Sequence, residues 1–220
     1  MHENSPHRWF AGTLSWFLNR LYHSWAFLYD LTAAIVSNGR WRQWVFCVVP
    51  LLQGEKILEI GMGPGHLALL LLQKGYALTA LDESRKMCQI TARRLSRAQL
   101  FHPGVILCAD ARCIPLASSH FETVAATFPA PYIFEPQVLE EIHRVLIPAG
   151  RLIVSLAARP QKQPLLMKTL HRLNLLPPME EEEERFRRLA KVFSSAGFAS
   201  EFRWVSDQNS QIFFIISTRT

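Results

Sequence analysis

Between Lys56 and Met87 the chain reads KILEIGMGPGHLALLLLQKGYALTALDESRKM, a stretch whose periodicity changes in a way that few folds accommodate. Residues 56–60 form an apolar run of strand length that stops at Gly61-Met62-Gly63-Pro64-Gly65. From His66 to Lys74 the residues are good helix formers, and the consecutive leucines Leu69, Leu70, Leu71 and Leu72 suit burial against a sheet. Gly75 ends that helix as a C′ glycine. Residues 77–81 are a second buried strand, with Asp82 at its end. Strand, helix and strand make one right-handed crossover unit of about 30 residues, and the carboxyl edge of such a sheet is where α/β proteins bind ligands.

A chain of 220 residues suits one α/β domain with an extension and is long enough to bury a full core. The apolar share of 49% is high for a soluble protein, yet the longest apolar runs are too short to span a bilayer or are broken by Asp30. No basic start followed by a clean apolar stretch opens the chain, so no secretion signal is expected and a cytoplasmic location is. The net charge of +6 is spread along the sequence and permits an anionic partner without requiring one. Cys47, Cys88, Cys108 and Cys113 form no CxxC pair and read as free thiols. The eight histidines show no ligand spacing, so no protein-bound metal is expected.

The glycine spacing carries the chemistry. A nucleotide-like ligand pressed against a strand-to-helix turn needs backbone without side chains and conformations of positive φ. The dinucleotide fingerprint GxGxxG would need glycine at 66, where this chain has His66. Glu59-x-Gly61-x-Gly63-x-Gly65 is a carboxylate followed by three alternating glycines. It resembles motif I of the class I S-adenosylmethionine-dependent methyltransferases. The resemblance implies that Glu59, Gly61, Met62, Gly63 and Gly65 cradle the amino-acid end of the cofactor S-adenosyl-L-methionine. It likewise puts Asp82 on both ribose hydroxyls, with Glu83 beside it. The fold it implies is α/β: a doubly wound, Rossmann-like, seven-stranded sheet, mostly parallel with an antiparallel C-terminal strand, under an N-terminal helical cap. The expected domains are residues 1–53 for the cap and 54–220 for the cofactor domain.

Downstream, Ser84 is an N-cap and residues 85–100 read as a helix with Met87, Ile90 and Leu95 toward the core. Met87 falls where the family sets an apolar side chain against adenine; core packing is the other use. Residues 104–109 are the third strand, ending at Asp110-Ala111. There the family's acidic side chain accepts from the adenine amine, and a capping role is the alternative for Asp110. Ile114-Pro115-Leu116 through Glu122 resembles the linker of this subgroup and leads to a fourth strand at 123–127.

That strand ends in Thr127-Phe128-Pro129-Ala130-Pro131-Tyr132, and the resemblance implies a place for Thr127 beside the cofactor. Amino-group methyltransferases carry an Asn-Pro-Pro-Tyr-like motif here, whereas this chain has Phe128 for the asparagine and an extra Ala130. Losing that acceptor argues against planar exocyclic amines, since a buried unpaired N–H is costly. The run RVLIPAGRLIVSL resembles the family's RVLKPGGRLVI segment, with Pro148-Ala149-Gly150 as a turn into a fifth strand at 151–157. Residues 158–179 read as an insertion and the acidic-basic run 180–188 as a solvated helix face with a Glu181–Arg185 pair. The chain closes with an antiparallel pair at 198–205 and 211–217.

Residues 1–53 hold five of the six tryptophans, interleaved with Arg8, Arg20 and His23. Three uses stay open: a lid over the active site, a peripheral membrane contact through residues 1–30, and packing alone. Tyr29-Asp30-Leu31, then Ser37-Asn38-Gly39, resembles the entry segment of ubiquinone and menaquinone biosynthesis C-methyltransferases and sets Tyr29 at the methionine end of the cofactor. Together the resemblances imply transfer of a methyl group to a small, largely apolar acceptor, quinone-like, phenolic or lipid, with S-adenosyl-L-homocysteine as product. Tyr132, His23, Tyr29 and His143 are the candidates for a catalytic base. A non-catalytic cofactor-binding scaffold and a phospholipid N-methyltransferase are the alternatives. Nucleic acid is not an expected partner, since no basic stripe with stacking aromatics appears.

Overall fold

The computed structural model describes residues 40–160, 188–207 and 210–220. Seven strands form one sheet: β1 (Lys56–Ile60), β2 (Ala77–Asp82), β3 (Ile106–Cys108), β4 (Phe121–Thr127), β5 (Leu146–Pro160), β6 (Phe198–Asp207) and β7 (Ser210–Arg219). Their spatial order is β3-β2-β1-β4-β5-β7-β6. The first five pair in parallel, and β7 runs antiparallel between β5 and β6. Helices α1 (Trp41–Phe46), α2 (His66–Gln73), α3 (Arg85–Arg97) and α4 (Pro136–Val145) precede or connect the strands. The order reverses between β1 and β4, and their carboxyl ends form the crevice that open parallel sheets use for ligands. This is the α/β architecture expected of the sequence.

The central strands are buried because they carry apolar side chains on both faces, as parallel strands covered by helices must. Ile57, Leu58 and Ile60 of β1, Val124 and Ala126 of β4, and Leu152, Ile153 and Val154 of β5 are all fully buried. α4 adds Val138, Leu139, Ile142 and Val145 to the same core, at a spacing that places them on one helical stripe. The β3–β4 linker is clamped to α4. The Arg144 guanidinium donates to the carbonyls of Ile114 (2.7 Å) and Leu116 (2.8 Å), and Glu141 accepts from the Ile114 N–H (2.7 Å). At the amino edge, Glu122 accepts from the N–H groups of Glu55 (2.7 Å) and Lys56 (3.0 Å), which fixes where β1 begins.

Several boundaries differ from the sequence expectation. β3 is only Ile106–Cys108, and β6 and β7 are longer than expected. Pro148-Ala149-Gly150 is not a turn before β5 but a bulge within it: the ladder with β4 jumps from Phe121↔Leu146 to Thr123↔Arg151. Pro148 has no N–H for the ladder, so the chain must swell around it. Ala149 accordingly takes φ 61°. One compact unit runs from Arg42 to Thr220. Its first residues are tied in by Val45 and Val48, both buried, and by Gln53, whose N–H and carbonyl both pair with the Thr123 hydroxyl. Residues 1–39 of the expected cap, residues 161–179 of the insertion and the Glu181–Arg185 pair lie outside the described residues.

Two helices end in the same hydrogen-bond motif with different residues. After α2, Tyr76 N–H reaches the Leu71 carbonyl and Gly75 N–H the Leu72 carbonyl, with Gly75 at φ 85°. After α3, Leu100 N–H reaches Leu95 and Gln99 N–H reaches Ser96, but the left-handed position is Gln99 at φ 58°. A side chain there costs about 1 kcal/mol that glycine avoids. Gln99→Gly is therefore expected to raise unfolding stability by about 1 kcal/mol in urea titration, and Gln99→Ala to leave it unchanged. A loss of stability in the glycine variant would contradict this geometry.

Candidate functional site

The turn between β1 and α2 is built for close approach. Gly61, Gly63 and Gly65 all sit at positive φ, 71°, 52° and 74°. The first is tied down by its N–H to the Leu81 carbonyl (2.8 Å), which locks the turn to the end of β2. From below, α3 holds it through Thr91, whose hydroxyl donates to the Gly63 carbonyl (2.9 Å), and through Arg94, which donates to the Pro64 carbonyl. A Cβ on Gly65 would stand 2.4 Å from the Thr91 methyl, so that glycine exists for helix packing. A Cβ on Gly63 would meet nothing within 4 Å. The open side of the turn at Gly63 is where a ligand has room.

Two carboxyl groups stand behind this turn. Asp82, at the tip of β2, accepts from the Gly63 N–H through Oδ2 and from the Ser84 N–H through Oδ1, both at 2.9 Å. Burial raises its pKa, and those two hydrogen bonds oppose the rise. The sequence expectation had this carboxylate serve ribose hydroxyls. In the structure it is also a backbone anchor, with lone pairs left over because a carboxylate accepts about four bonds. Glu59, one residue before the end of β1, is 1% exposed, and its Oε2 has no hydrogen-bond partner. Burial, and then the neighbouring Asp82 charge, push its pKa to about 8.

The far wall of the crevice comes from the chain after β4. Thr127 pairs with Ser155 in the sheet, and Phe128 then turns into the left-handed region at φ 49°, a strained conformation for a bulky residue. Its N–H is held by the Ser155 carbonyl (2.8 Å). The redirected ring lies 6.4 Å from that of Trp44 on α1. A short 3-10 turn, Pro131–Phe134, follows and brings the Tyr132 hydroxyl to 2.8 Å from where a Cβ on Gly61 would be. Tyr132 thus stands over the glycine turn.

Other candidates divide. Met62 and Ala111 are buried at the edge of the site, and Glu83 is exposed beside Asp82. Met87 is 1% exposed in the first turn of α3, where Ser84 caps the helix by accepting from its N–H (3.4 Å). Asp110 caps the Arg112 N–H (2.8 Å), and the Arg112 guanidinium bridges Asp110 to Glu135 (2.7 Å), joining the loops after β3 and β4. The Asp110 carboxylate is thus engaged within its own loop and by Arg112. His143 drops out as a candidate base. Its ring packs edge-on against Phe198 at 5.4 Å, where β6 begins beside Arg219, at the edge of the sheet opposite the glycine turn. Tyr29 and His23 lie outside the described residues. Among those described, all four cysteines are free thiols and no cluster of three or more His, Cys, Asp or Glu is placed to hold a metal ion.

Three contributors escaped the sequence reading. Thr91 and Arg94 reach the turn from α3 and carry no local motif; only Gly65's need to avoid a side chain points to them. Trp44 was read as part of an aromatic stretch, and its contact with Phe128 depends on a left-handed residue that no propensity favours.

Residues 58–154 match a family model described as a methyltransferase domain. The resemblance read from the glycine motif stands on that stretch. A demethylmenaquinone methyltransferase of Thermotoga maritima is 32% identical over 141 residues, covering 61% of this chain and 59% of its own length. The chain thus spans little more than half of that relative. Among solved structures, a SAM-dependent methyltransferase from Aquifex aeolicus superposes with a TM-score of 0.54 at 18% identity, covering 81% of this chain and 89% of its own. A [4+2]-cyclase superposes with a TM-score of 0.56, also at 18%, covering 82% and 80%. These likenesses show the fold, and the cyclase shows that the fold does not dictate the reaction.

The site has the features a cationic nucleoside needs: an open turn for backbone approach, a buried carboxyl group at the tip of β2 and a second buried carboxyl group with one oxygen unpartnered. The neutral state of Glu59 has a stability signature. Because its folded pKa is raised, the linkage is favourable below the unfolded value near 4.5 and is lost as pH rises through about 8. Glu59→Gln cannot ionise. Between pH 5 and pH 8 the wild type should lose stability relative to Glu59→Gln, on the order of a few kcal/mol across the window. A difference that stays constant in pH-dependent denaturation would show that Glu59 is not held neutral.

Proposed function

We propose, taking residues 58–154 as a methyltransferase domain, that this chain transfers a methyl group from S-adenosyl-L-methionine to a small, largely apolar acceptor of quinone or phenol type. The observation that carries the reading is the open Gly63 turn flanked by the buried Asp82 and by Glu59, whose Oε2 has no partner. When bound, the cofactor supplies an activated methyl group on a sulfonium with a good leaving group. What the protein must add is mainly orientation and exclusion of water.

The residues divide that work. Asp82 holds the glycine turn through Gly63 and offers its remaining lone pairs to sugar hydroxyls. Glu59, neutral while the site holds no cation, becomes the counter-charge when one is seated beside it. The rings of Trp44 and Phe128 and the Tyr132 side chain wall the acceptor side with apolar surface. A wall of that kind suits a flat aromatic acceptor. The relative from Thermotoga is named for a quinone-type acceptor, which supports the same choice. Tyr132, standing over Gly61, is the group we assign to hold the acceptor's proton.

Incubation with S-adenosyl-L-methionine and a panel of phenols, quinols and polar lipids should yield S-adenosyl-L-homocysteine with the aromatic hydroxyl compounds. Release of product with no member of the panel, despite cofactor binding, would favour the scaffold reading or a different chemistry on the same fold. Tyr132→Phe should lower kcat at least about tenfold with cofactor affinity unchanged. Asp82→Ala should instead weaken cofactor binding by about 1.5–3 kcal/mol, the scale for hydrogen bonds to a charged group. A Tyr132→Phe enzyme with full kcat would remove the hydroxyl from the proton's path.

A further inference from the structure

Two buried side-chain polar atoms among the described residues have no hydrogen-bond partner: Glu59 Oε2 and Trp44 Nε1. The first belongs to the cofactor side of the crevice. The second is an indole N–H, which can only donate, and buried donors in folded proteins are nearly always paired. An unmatched buried donor calls for an explanation, and a functional role at a binding site is one of them.

Trp44 lies where an acceptor molecule would enter. It sits on α1, and its ring is 6.4 Å from Phe128, the first residue after β4 at the carboxyl edge. One helical turn later, Cys47 feels the charge of Asp207 at the end of β6, which with burial lifts its thiol to about 11. That places α1 along the same edge of the sheet. Phe128 is strained to bring its ring here. At φ 49° it leaves the strand's alternation, and its backbone N–H is tied to the Ser155 carbonyl and hydroxyl so that it cannot relax back. The Tyr132 hydroxyl over Gly61 belongs to the neighbouring turn. An aromatic ring, a strained aromatic ring and a phenol hydroxyl thus share one rim, and on that rim one buried donor lacks an acceptor.

We propose that Trp44 Nε1 donates a hydrogen bond to an oxygen of the methyl acceptor, a hydroxyl or carbonyl carried on a flat apolar ring. Trp44 is then a substrate-positioning residue. The inference rests on the methyltransferase reading above and adds to it the feature of the acceptor that is recognised. The apolar surfaces of Trp44 and Phe128 account for binding the ring, and the indole N–H accounts for its orientation, because one fixed donor lets the ring settle in one rotation only. An acceptor without oxygen at that position fits the same walls but leaves the donor buried and unpaired.

The test uses the full chain loaded with S-adenosyl-L-homocysteine and two probes of similar shape, 1-naphthol and 1-methylnaphthalene. The wild type is expected to bind 1-naphthol about five- to tenfold more tightly, the worth of one net hydrogen bond. Trp44→Phe, which keeps an aromatic ring and loses the N–H, is expected to lose that preference. Any loss of ring contact should fall on both naphthalenes alike, so that only their ratio reports the donor, and the affinity for S-adenosyl-L-homocysteine should stay within about twofold of wild type. The unaltered protein gives a second readout: with ¹⁵N-labelled tryptophan, one indole resonance should move downfield with 1-naphthol and not with 1-methylnaphthalene. A Trp44→Phe protein that keeps the preference, or an indole spectrum that 1-naphthol leaves in place, overturns the proposal. Failure of the wild type to bind S-adenosyl-L-homocysteine would overturn the methyltransferase reading itself, whatever the naphthol result.

Discussion

The site depends on one buried carboxylate. Asp82 ties the tip of β2 to the glycine turn after β1 through Gly63 and to the start of α3 through Ser84. Three elements that meet at the topological switch point are thereby fixed to one another within hydrogen-bond tolerance. Thr91 and Arg94 complete the hold from the far side of α3. A turn of three left-handed glycines would otherwise be the most mobile part of the chain, because glycine loses the most conformational entropy on ordering. Preorganising it against backbone and side-chain anchors lets a ligand bind without ordering the loop at that moment.

Putting Glu59 behind the same turn makes the site sensitive to charge. A buried carboxyl group with one oxygen unpartnered, and with Asp82 nearby, is kept neutral by its raised proton affinity. A cation reverses that balance. The crevice therefore carries two acidic groups of different character, one bonded into the backbone of the turn, the other unpartnered at one oxygen and neutral until its counter-ion arrives. The acceptor wall is chemically opposite: Trp44 and Phe128 contribute rings. Such a division between a polar cofactor half and an apolar acceptor half suits any reaction that brings a charged nucleoside to a flat apolar molecule.

Much of this was legible in the residues. The glycine spacing, the helix-forming run closed by Gly75 and the acid at Asp82 each report a local backbone demand, and local demands are what sequence records well. The crossover unit, the order of the strands along the chain and the Ser84 cap follow from them. What was not legible depends on contacts between distant segments. Asp110 was matched to adenine by position, but Arg112 and Glu135 decide where its carboxylate points, and that pairing spans two loops. His143 lies on a helix where a surface position is the first expectation, and the sheet carries it to the edge opposite the glycine turn. Phe128 broke a polar pattern in the sequence, and only its left-handed backbone shows why a large ring occupies the position.

The central claim is that a cationic nucleoside seats itself on the glycine turn against Glu59 and Asp82. Calorimetric titration of the intact chain with S-adenosyl-L-homocysteine at pH 7, in two buffers of different ionisation enthalpy, tests it most directly. The account predicts saturable binding at one site and heats that differ between the buffers by the release of up to about one proton, as Glu59 ionises beside the incoming ammonium group. The absence of saturable binding, or binding with identical heats in both buffers, would contradict it.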